Sequence, residues 1–335
     1  MRIVAITRVL DEADIIEAFA RHTAAYVDHH VFLDNGSADG TLAILRALHA
    51  EGLPMTLLQT GCVSFNEAGH LTQMFRRAIR DHAADWVACL DADEFIDDRG
   101  SPVGLRDMLG ALEEATPAAA YLHLPSADYV ATSADDPAQP TVPQRIRRRR
   151  PLGANGKAIA RGGPSRAGAG ILAGGHAVLA DGAPDGSPGG PPGLGVAQRG
   201  LQLAHYSERS PFQVITKVVR GWSRVLAAEG AVADSGAAYH YKQFFEVLRD
   251  RPADLLRDSG WMDFKNDAIH LVDDPITYRG GPLRLTPGTD DAMWAVQSLV
   301  GVVQDLALRH RRLLETFPEV RRQVDAWDAE LTRLL

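Results

Sequence analysis

A chain of 335 residues, 45% hydrophobic and 23% charged, has the composition of a folded globular protein and the length for one large domain with an appendage. Its formal net charge of −8 excludes the broad basic footprint of a nucleic-acid binder. Two cysteines, Cys62 and Cys89, give no basis for a disulfide framework or a thiolate metal cluster. Met1-Arg2-Ile3-Val4-Ala5-Ile6-Thr7 turns polar too soon for a secretory signal, and no apolar stretch approaches the ~20 residues of a membrane span. The expected address is therefore cytoplasmic, with room for peripheral attachment at the inner face of a membrane.

In chain order, Ile3 to Ile6 is a short apolar run that predicts a buried first strand, with Thr7 to Glu12 as the loop after it. Ile15, Ile16, Phe19 and Ala20 recur at helical spacing, so a helix is predicted from Asp14 to about Tyr26. Val31-Phe32-Leu33 predicts a second strand, and Leu42, Leu45 and Leu48 a second helix stopping near Gly52. Met55 to Leu58 is a third strand, Leu71, Met74, Phe75, Ala78 and Ile79 mark a third helix, and Trp86 to Leu90 is a fourth strand. Strands alternating with helices over short connections imply an α/β fold with a mostly parallel sheet. No Gly-x-Gly-x-x-Gly follows the first strand, which counts against a dinucleotide-binding domain.

Tyr121 to Leu124 offers a further strand. From about Asp128 to Gly200 the composition shifts: Arg147 to Arg150 form a basic run, and residues 181–195 are so rich in Gly and Pro that a flexible loop without regular structure is expected. Leu201 to Tyr206 regains a strand-like alternation. Helices are predicted from Pro211 to Glu229, from Lys242 to Asp258 and in two stretches between Asp290 and Leu335. The chain thus divides into residues 1–125, 126–209 and a helical extension, 210–335.

The most informative stretch is Trp86 to Phe95. A buried strand ends abruptly in Asp91-Ala92-Asp93-Glu94, which sets two carboxylates at the carboxyl edge of a sheet, where open α/β sheets bind ligands. Such oxygen donors suit Mg²⁺ or Mn²⁺, ions that keep waters and bind substrate phosphates. A solvated acidic turn is the alternative reading. Asp34-Asn35-Gly36-Ser37-Ala38-Asp39-Gly40-Thr41 ends the second strand; its glycines allow tight geometry and Ser37 or Asp39 can cap the next helix. Asp34 has the placement to accept hydrogen bonds from a nucleobase or ribose.

Together these stretches resemble a family 2-type glycosyltransferase of the GT-A fold. The closer resemblance is to the branch carrying Asn-Glu-Ala-Asp-Ile-Ile, Asp-Asn-Gly-Ser-x-Asp-Gly-Thr and Asp-x-Asp-Glu-Phe. Here the matches are Asp11 to Ile16, Asp34 to Thr41 and Asp91 to Phe95. Lys157-Ala158-Ile159-Ala160-Arg161 resembles the branch's Lys-x-Ile-x-Arg, and His205-Tyr206 with Lys217 and Arg220-Gly221 its His-Tyr, Lys and Arg-Gly segment. The chain departs from the pattern where Leu10 replaces the usual basic residue before Asn-Glu, with Arg8 as a candidate replacement, and in its long Gly/Pro stretch.

The resemblance implies transfer of a sugar from a nucleoside-diphosphate sugar to a glycan or lipid-linked acceptor, with Mn²⁺ or Mg²⁺ as cofactor, in bacterial surface-polysaccharide assembly. It implies a metal site of Asp91, Asp93 and His205, with Asp93 bound directly, Asp91 on the ion through water or on the ribose, and His205 as third ligand or, alternatively, a hydrogen-bonded structural residue. Thr7, Arg8, Glu12, Asp34, Asp91, Lys157, Lys217 and Arg220 are implied on the nucleotide sugar. Lys217 and Arg220, three apart on one helix face, suit a phosphate. Inversion at the sugar carbon requires a base, for which Glu94, beside Asp93, and Asp128 and His176 are candidates. Because successive strand residues point to opposite sides, Glu94 has the alternative part of bracing the loop. Trp222 and Trp261 are candidates for stacking on a sugar or for packed core. The other readings are a sugar nucleotidyltransferase, which would carry a Gly-rich basic loop after the first strand, and a non-catalytic carbohydrate- or nucleotide-binding module.

Overall fold

The structure, a computed structural model, describes residues 1–60, 67–116, 118–132, 134–153, 155–163, 166, 168–179, 193–195, 200–227, 239–252, 270–286 and 291–334. Strand β1 (Ile3–Val9) is central. Ile3, Ala5 and Val9 enter one core layer, and Val4 and Ile6 the other, because successive strand residues face opposite ways. It pairs in parallel with β2 (His29–Asp34), which pairs with β3 (Met55–Gln59), and on its other side with β4 (Trp86–Cys89). Continuous apolar runs are what parallel strands covered on both faces require. Helices α1 (Ile16–Thr23) and α2 (Thr41–Ala50) bury Phe19, Leu45 and Leu48 on the first face, and α3 (Glu67–His82) buries Leu71, Met74, Phe75, Ala78 and Ile79 on the second.

Beyond β4 the sheet changes character. Strand β5 (Glu94–Asp97) follows the acidic turn, and α4 (Leu105–Ala115) adds Leu105, Met108 and Leu109 to the first core layer. Strand β6 (Tyr121–Val130) runs six residues past its predicted end. The four-residue α5 (Val142–Arg145) leads to β7 (Arg148–Arg149). Strand β8 (Gly156–Arg161) lies antiparallel between β4 and β6. A hairpin, β9 (Gly170–Ile171) and β10 (Val178–Leu179), packs its Ile171 and Val178 with α3. Residues 180–192 of the Gly/Pro stretch lie outside the described residues; Gly193–Gly195, expected to lack regular structure, form β11 in parallel with β6. Strand β12 (Gln202–Glu208) sits parallel to the far half of β6 and antiparallel to β5. The result is the expected α/β architecture: a mixed central sheet whose parallel half carries the first motifs, flanked by helices and followed by a mainly helical part.

That part begins with α6 (Pro211–Leu226), whose N-terminus is capped by Ser210 Oγ accepting from the Gln213 N–H at 3.1 Å, with Pro211 in the first turn. Trp222, on α6, is buried; Trp261 lies outside the described residues. Helix α7 (Tyr239–Asp250) packs on α6, where a Cβ at Gly221 would come within 2.8 Å of the Tyr241 ring. Strand β13 (Val272–Asp273) pairs with β7 and opens a segment, 270–286, that crosses the α1 side of the molecule. Helices α8 (Asp291–Thr316) and α9 (Pro318–Leu334) complete the fold. The basic run is tied down by this arrangement: Arg147 and Arg149 pair with Asp273 and Asp274 at 3.4 and 2.6 Å, and Arg148 donates to Thr132 Oγ1. Among the described residues, no helix is long and apolar enough to cross a membrane.

Candidate active site

The apolar strand β4 delivers Asp91-Ala92-Asp93 to the sheet edge as a closed turn. The Glu94 N–H donates to Asp91 O at 3.1 Å, and Glu94 Oε2 accepts from the Asp91 N–H at 3.0 Å. Glu94 is buried and 3.5 Å from Lys157 Nζ. Burial raises its pKa, against the pull of Lys157. These contacts make Glu94 the brace of the turn, the alternative that strand alternation offered. Asp93 is buried, and Asp91 stands more open.

Strand pairing assembles the rest. In register, His205 of β12 lies opposite Glu94 of β5 on one side and Asp128 of β6 on the other. His205 Nδ1–H donates to Asp128 Oδ1 at 2.8 Å, and its Nε2 stands 3.7 Å from Asp93 Oδ1. Burial lowers the imidazole pKa, but the Asp93 and Asp128 carboxylates outweigh burial and bring it up to about 9.

Each carboxylate of the pair meets its own cation, Lys157 buried and Lys217 half-buried. Lys157, on β8, donates to Asp91 Oδ2 at 2.5 Å and to Gly174 O at 2.6 Å. Lys217, on α6, donates to Asp93 Oδ2 at 2.9 Å. Arg209, which sequence reasoning missed, is fully buried between β12 and α6 with Nη1 3.8 Å from Asp93 Oδ2. Burial alone would raise the Asp93 pKa; Lys217, His205 and Arg209 reverse this and hold it well below the usual carboxylate range.

These groups line a cavity of about 640 Å³. Among the sequence-predicted residues, Arg8, Glu12, Asp91, Asp93, Glu94, Lys157, His205, Lys217 and Arg220 reach its wall, as do Asp128 and His176. Thr7 and Asp34 do not. Thr7 shares the parity of Ile3 and Ala5, so its hydroxyl points into the α1 layer and bonds His30 Nε2 at 2.8 Å. Asp34 is buried and accepts from the Gly36 and Ser37 N–H groups at 3.3 Å each, holding its own turn. Arg220 is engaged by Asp11 Oδ2 and donates to Gly36 O at 3.2 Å. Asp11 sits at φ 55°, a conformation that Asp and Asn tolerate best among non-glycine residues, which suits the Asn of the resembled motif.

On this wall and behind it lie polar atoms without partners among the described residues. Arg8 Nη2 donates to Glu67 Oε1 at 3.2 Å, while its buried Nη1 has no hydrogen-bond partner. Neither side-chain atom of Asn35 has one, though the residue is only 3% exposed. Asn35 is not itself on the wall; its backbone carbonyl accepts from Arg224, which is, at 2.9 Å. Nothing in the sequence distinguishes Asn35 from an ordinary turn residue.

The donor set fits a divalent cation in part. Asp93 Oδ1 and His205 Nε2 face each other at a separation compatible with two ligands of one ion, and the Asp128 carboxylate on Nδ1 is the partner that ligating histidines ordinarily have. Asp91, expected on a ribose or on the ion through water, is paired with Lys157. Among the described residues no three His, Cys, Asp or Glu side chains already form a metal-binding group. Asp93 and His205 would hold such an ion only with further oxygen ligands from outside these two side chains.

No protein-family model matches the chain, and no curated protein does. Among solved structures, it is similar to the mannosyltransferase PcManGT of Pyrobaculum calidifontis in complex with GDP-Man and Mn²⁺. That match has 15% identity, 91% of this chain, 87% of that one and a TM-score of 0.35. Residues 1–349 of Staphylococcus aureus TarS in complex with UDP match at 17% identity over 40% of this chain and 37% of that one, TM-score 0.27. Glucosyl-3-phosphoglycerate synthase of Mycobacterium tuberculosis, in complex with Mn²⁺, UDP and glucosyl-3-phosphoglycerate, matches at 16% over 39% and 44%, TM-score 0.25. This chain thus spans less than half the length of the last two.

Proposed function

We propose that the chain is a metal-dependent GT-A glycosyltransferase. In this reading it moves a sugar from a nucleoside-diphosphate sugar to a glycan or lipid-linked acceptor in surface-polysaccharide assembly, with inversion. The observation that carries the reading is the opposition of Asp93 and His205 across a gap lined by Asp128, Lys157 and Lys217, at the tip of β4. Motif order supports it: the three stretches that resemble the family occupy the ends of β1, β2 and β4.

When bound, a divalent cation supplies Lewis-acid stabilisation to the diphosphate as it departs. Asp93 and His205 would hold it. Lys217 keeps Asp93 ionised and presents its Oδ1 to the cavity. Lys157 holds Asp91 beside the cavity, and its ammonium adds positive charge near the leaving group. Arg8 Nη1, on the wall, and the Asn35 carboxamide, behind it, offer donors and an acceptor to a base and ribose, and a ligand there would account for these unpartnered buried atoms. Asp128 and His176 are the cavity groups available to take the acceptor's proton. Glu94 acts through the turn it braces.

The test is release of nucleoside diphosphate from a panel of nucleotide sugars without acceptor. Slow release that needs Mn²⁺ or Mg²⁺ and vanishes in Asp93→Ala is the expected result. Donor binding with no turnover under any metal or acceptor would instead make the chain a binding module.

A further inference from the structure

Resting on that reading, we propose that Arg209 is a positioning residue for the cation site: it sets the orientation in which Asp93 meets the ion. Four of its five N–H groups are committed. Nε and Nη2 form a fork on Asp14 at 2.6 and 2.9 Å, Nη2 also donates to Glu12 Oε2 at 2.6 Å, and Nη1 donates to Tyr206 O at 3.0 Å. The remaining Nη1–H lies on the side of Asp93, 3.8 Å from Oδ2. One guanidinium thus ties the β1–α1 loop, the end of β12 and the acidic turn together.

The consequence for Asp93 is directional. Its Oδ2 faces two cations, Arg209 and Lys217, while Oδ1 faces His205. Asp93 therefore presents one oxygen to the cavity and keeps the other on the protein side. Without the guanidinium, Asp14 and Asp93 lose a shared counter-charge, and Asp93 Oδ2 keeps Lys217 alone. The tie between the β1–α1 loop, the end of β12 and the acidic turn is lost with it, and Asp93 can turn from its position opposite His205. A lysine restores the charge but has three donors and no planar fork, so it cannot make the four bonds that Arg209 makes to Asp14, Glu12 and Tyr206.

The experiment titrates Mn²⁺ alone into the full-length chain and counts free ion by electron paramagnetic resonance, with circular dichroism as the check of folding. Arg209→Gln and Arg209→Lys are compared with wild type and with Arg99→Gln, which breaks an equally local network with Asp97 and Asp274 away from the cavity. Both Arg209 variants should weaken Mn²⁺ binding by about tenfold or more, the usual effect of losing a group that orients a metal ligand. Arg99→Gln should lower the thermal midpoint and leave the Mn²⁺ affinity unchanged. Should Arg209→Gln fail to fold, Arg209→Lys and Asp14→Asn, which removes only the fork's partner, decide the matter. Folded Arg209 or Asp14 variants that bind Mn²⁺ as tightly as wild type overturn the proposal. A wild-type chain that binds no Mn²⁺ contradicts the cation reading itself.

Discussion

Asn35 is a buried carboxamide with two unpartnered ends, a costly arrangement in a resting protein. A ligand edge that accepts from Nδ2 and donates to Oδ1, such as the imide edge of uracil or the N1/O6 edge of guanine, would satisfy both. Two opposite effects are expected from Asn35→Ala. The thermal midpoint of the free protein should hold or rise, because an unsatisfied buried group is removed. Affinity for the preferred nucleoside diphosphate should fall by about tenfold, the worth of one to two hydrogen bonds. Calorimetry on the variant checks both; a lowered midpoint with unchanged affinity would make Asn35 a structural residue. At this scale the acidic turn was legible because an apolar run ends at once in carboxylates. Thr7 and Asp34 were misplaced because their surroundings are set by neighbours: His30 beside Thr7 in the α1 layer, and the turn amides above Asp34.

Among the elements, the last residues of the segment 270–286 are gripped by one carboxylate. Glu17, buried on α1, accepts from the Arg284, Leu285 and Thr286 N–H groups at 2.9, 2.8 and 2.7 Å and pairs with Arg21 at 3.0 Å. Burial would raise its pKa, but these donors prevail and lower it below the ordinary value of 4.5. A depressed carboxylate contributes stability that is fully present above its unfolded value and is lost as pH falls through the folded one. Glu17→Gln should therefore cost about 2 kcal/mol at neutral pH, in the range for hydrogen bonds to a charged group, and much less below pH ~4. Thermal melts of both proteins from pH 7 to 3 measure it; parallel curves would show that Glu17 does not secure the segment. The sequence hides this clasp, as it hides Arg209, because the partners are separated by about 270 and 195 residues. Periodicity reads what an element buries, and the pairing of distant polar groups lies outside its reach.

Across the whole molecule, the site joins halves that the sequence presents as separate. Asp91 and Asp93 come from the parallel α/β half, Lys157 from β8, His205 and Arg209 from β12 and its exit, and Lys217 and Arg220 from the helical part. The first four strands and three helices were readable because alternating buried runs and amphipathic stripes force that order. Strand β5 and its pairing with β12 were not, although this pairing sets His205 beside Glu94 and Asp128. The helical part also closes on the strand tips: Arg220 of α6 and Ser298 of α8 both engage Asp11, and a side chain on Gly301 would collide with Ala38. Helices α6 and α7 thus form part of the wall, and α8 packs behind it against Asp11 and Ala38.

If Asp93 and His205 hold one divalent ion against a diphosphate, pulsed electron paramagnetic resonance of the Mn²⁺-loaded chain with uridine or guanosine diphosphate will detect both neighbours of the ion. A ³¹P coupling from the diphosphate is expected together with a ¹⁴N coupling from one imidazole, the latter abolished in His205→Gln. Phosphorus coupling without nitrogen, or a nitrogen coupling that survives in His205→Gln, would show that His205 does not hold the ion.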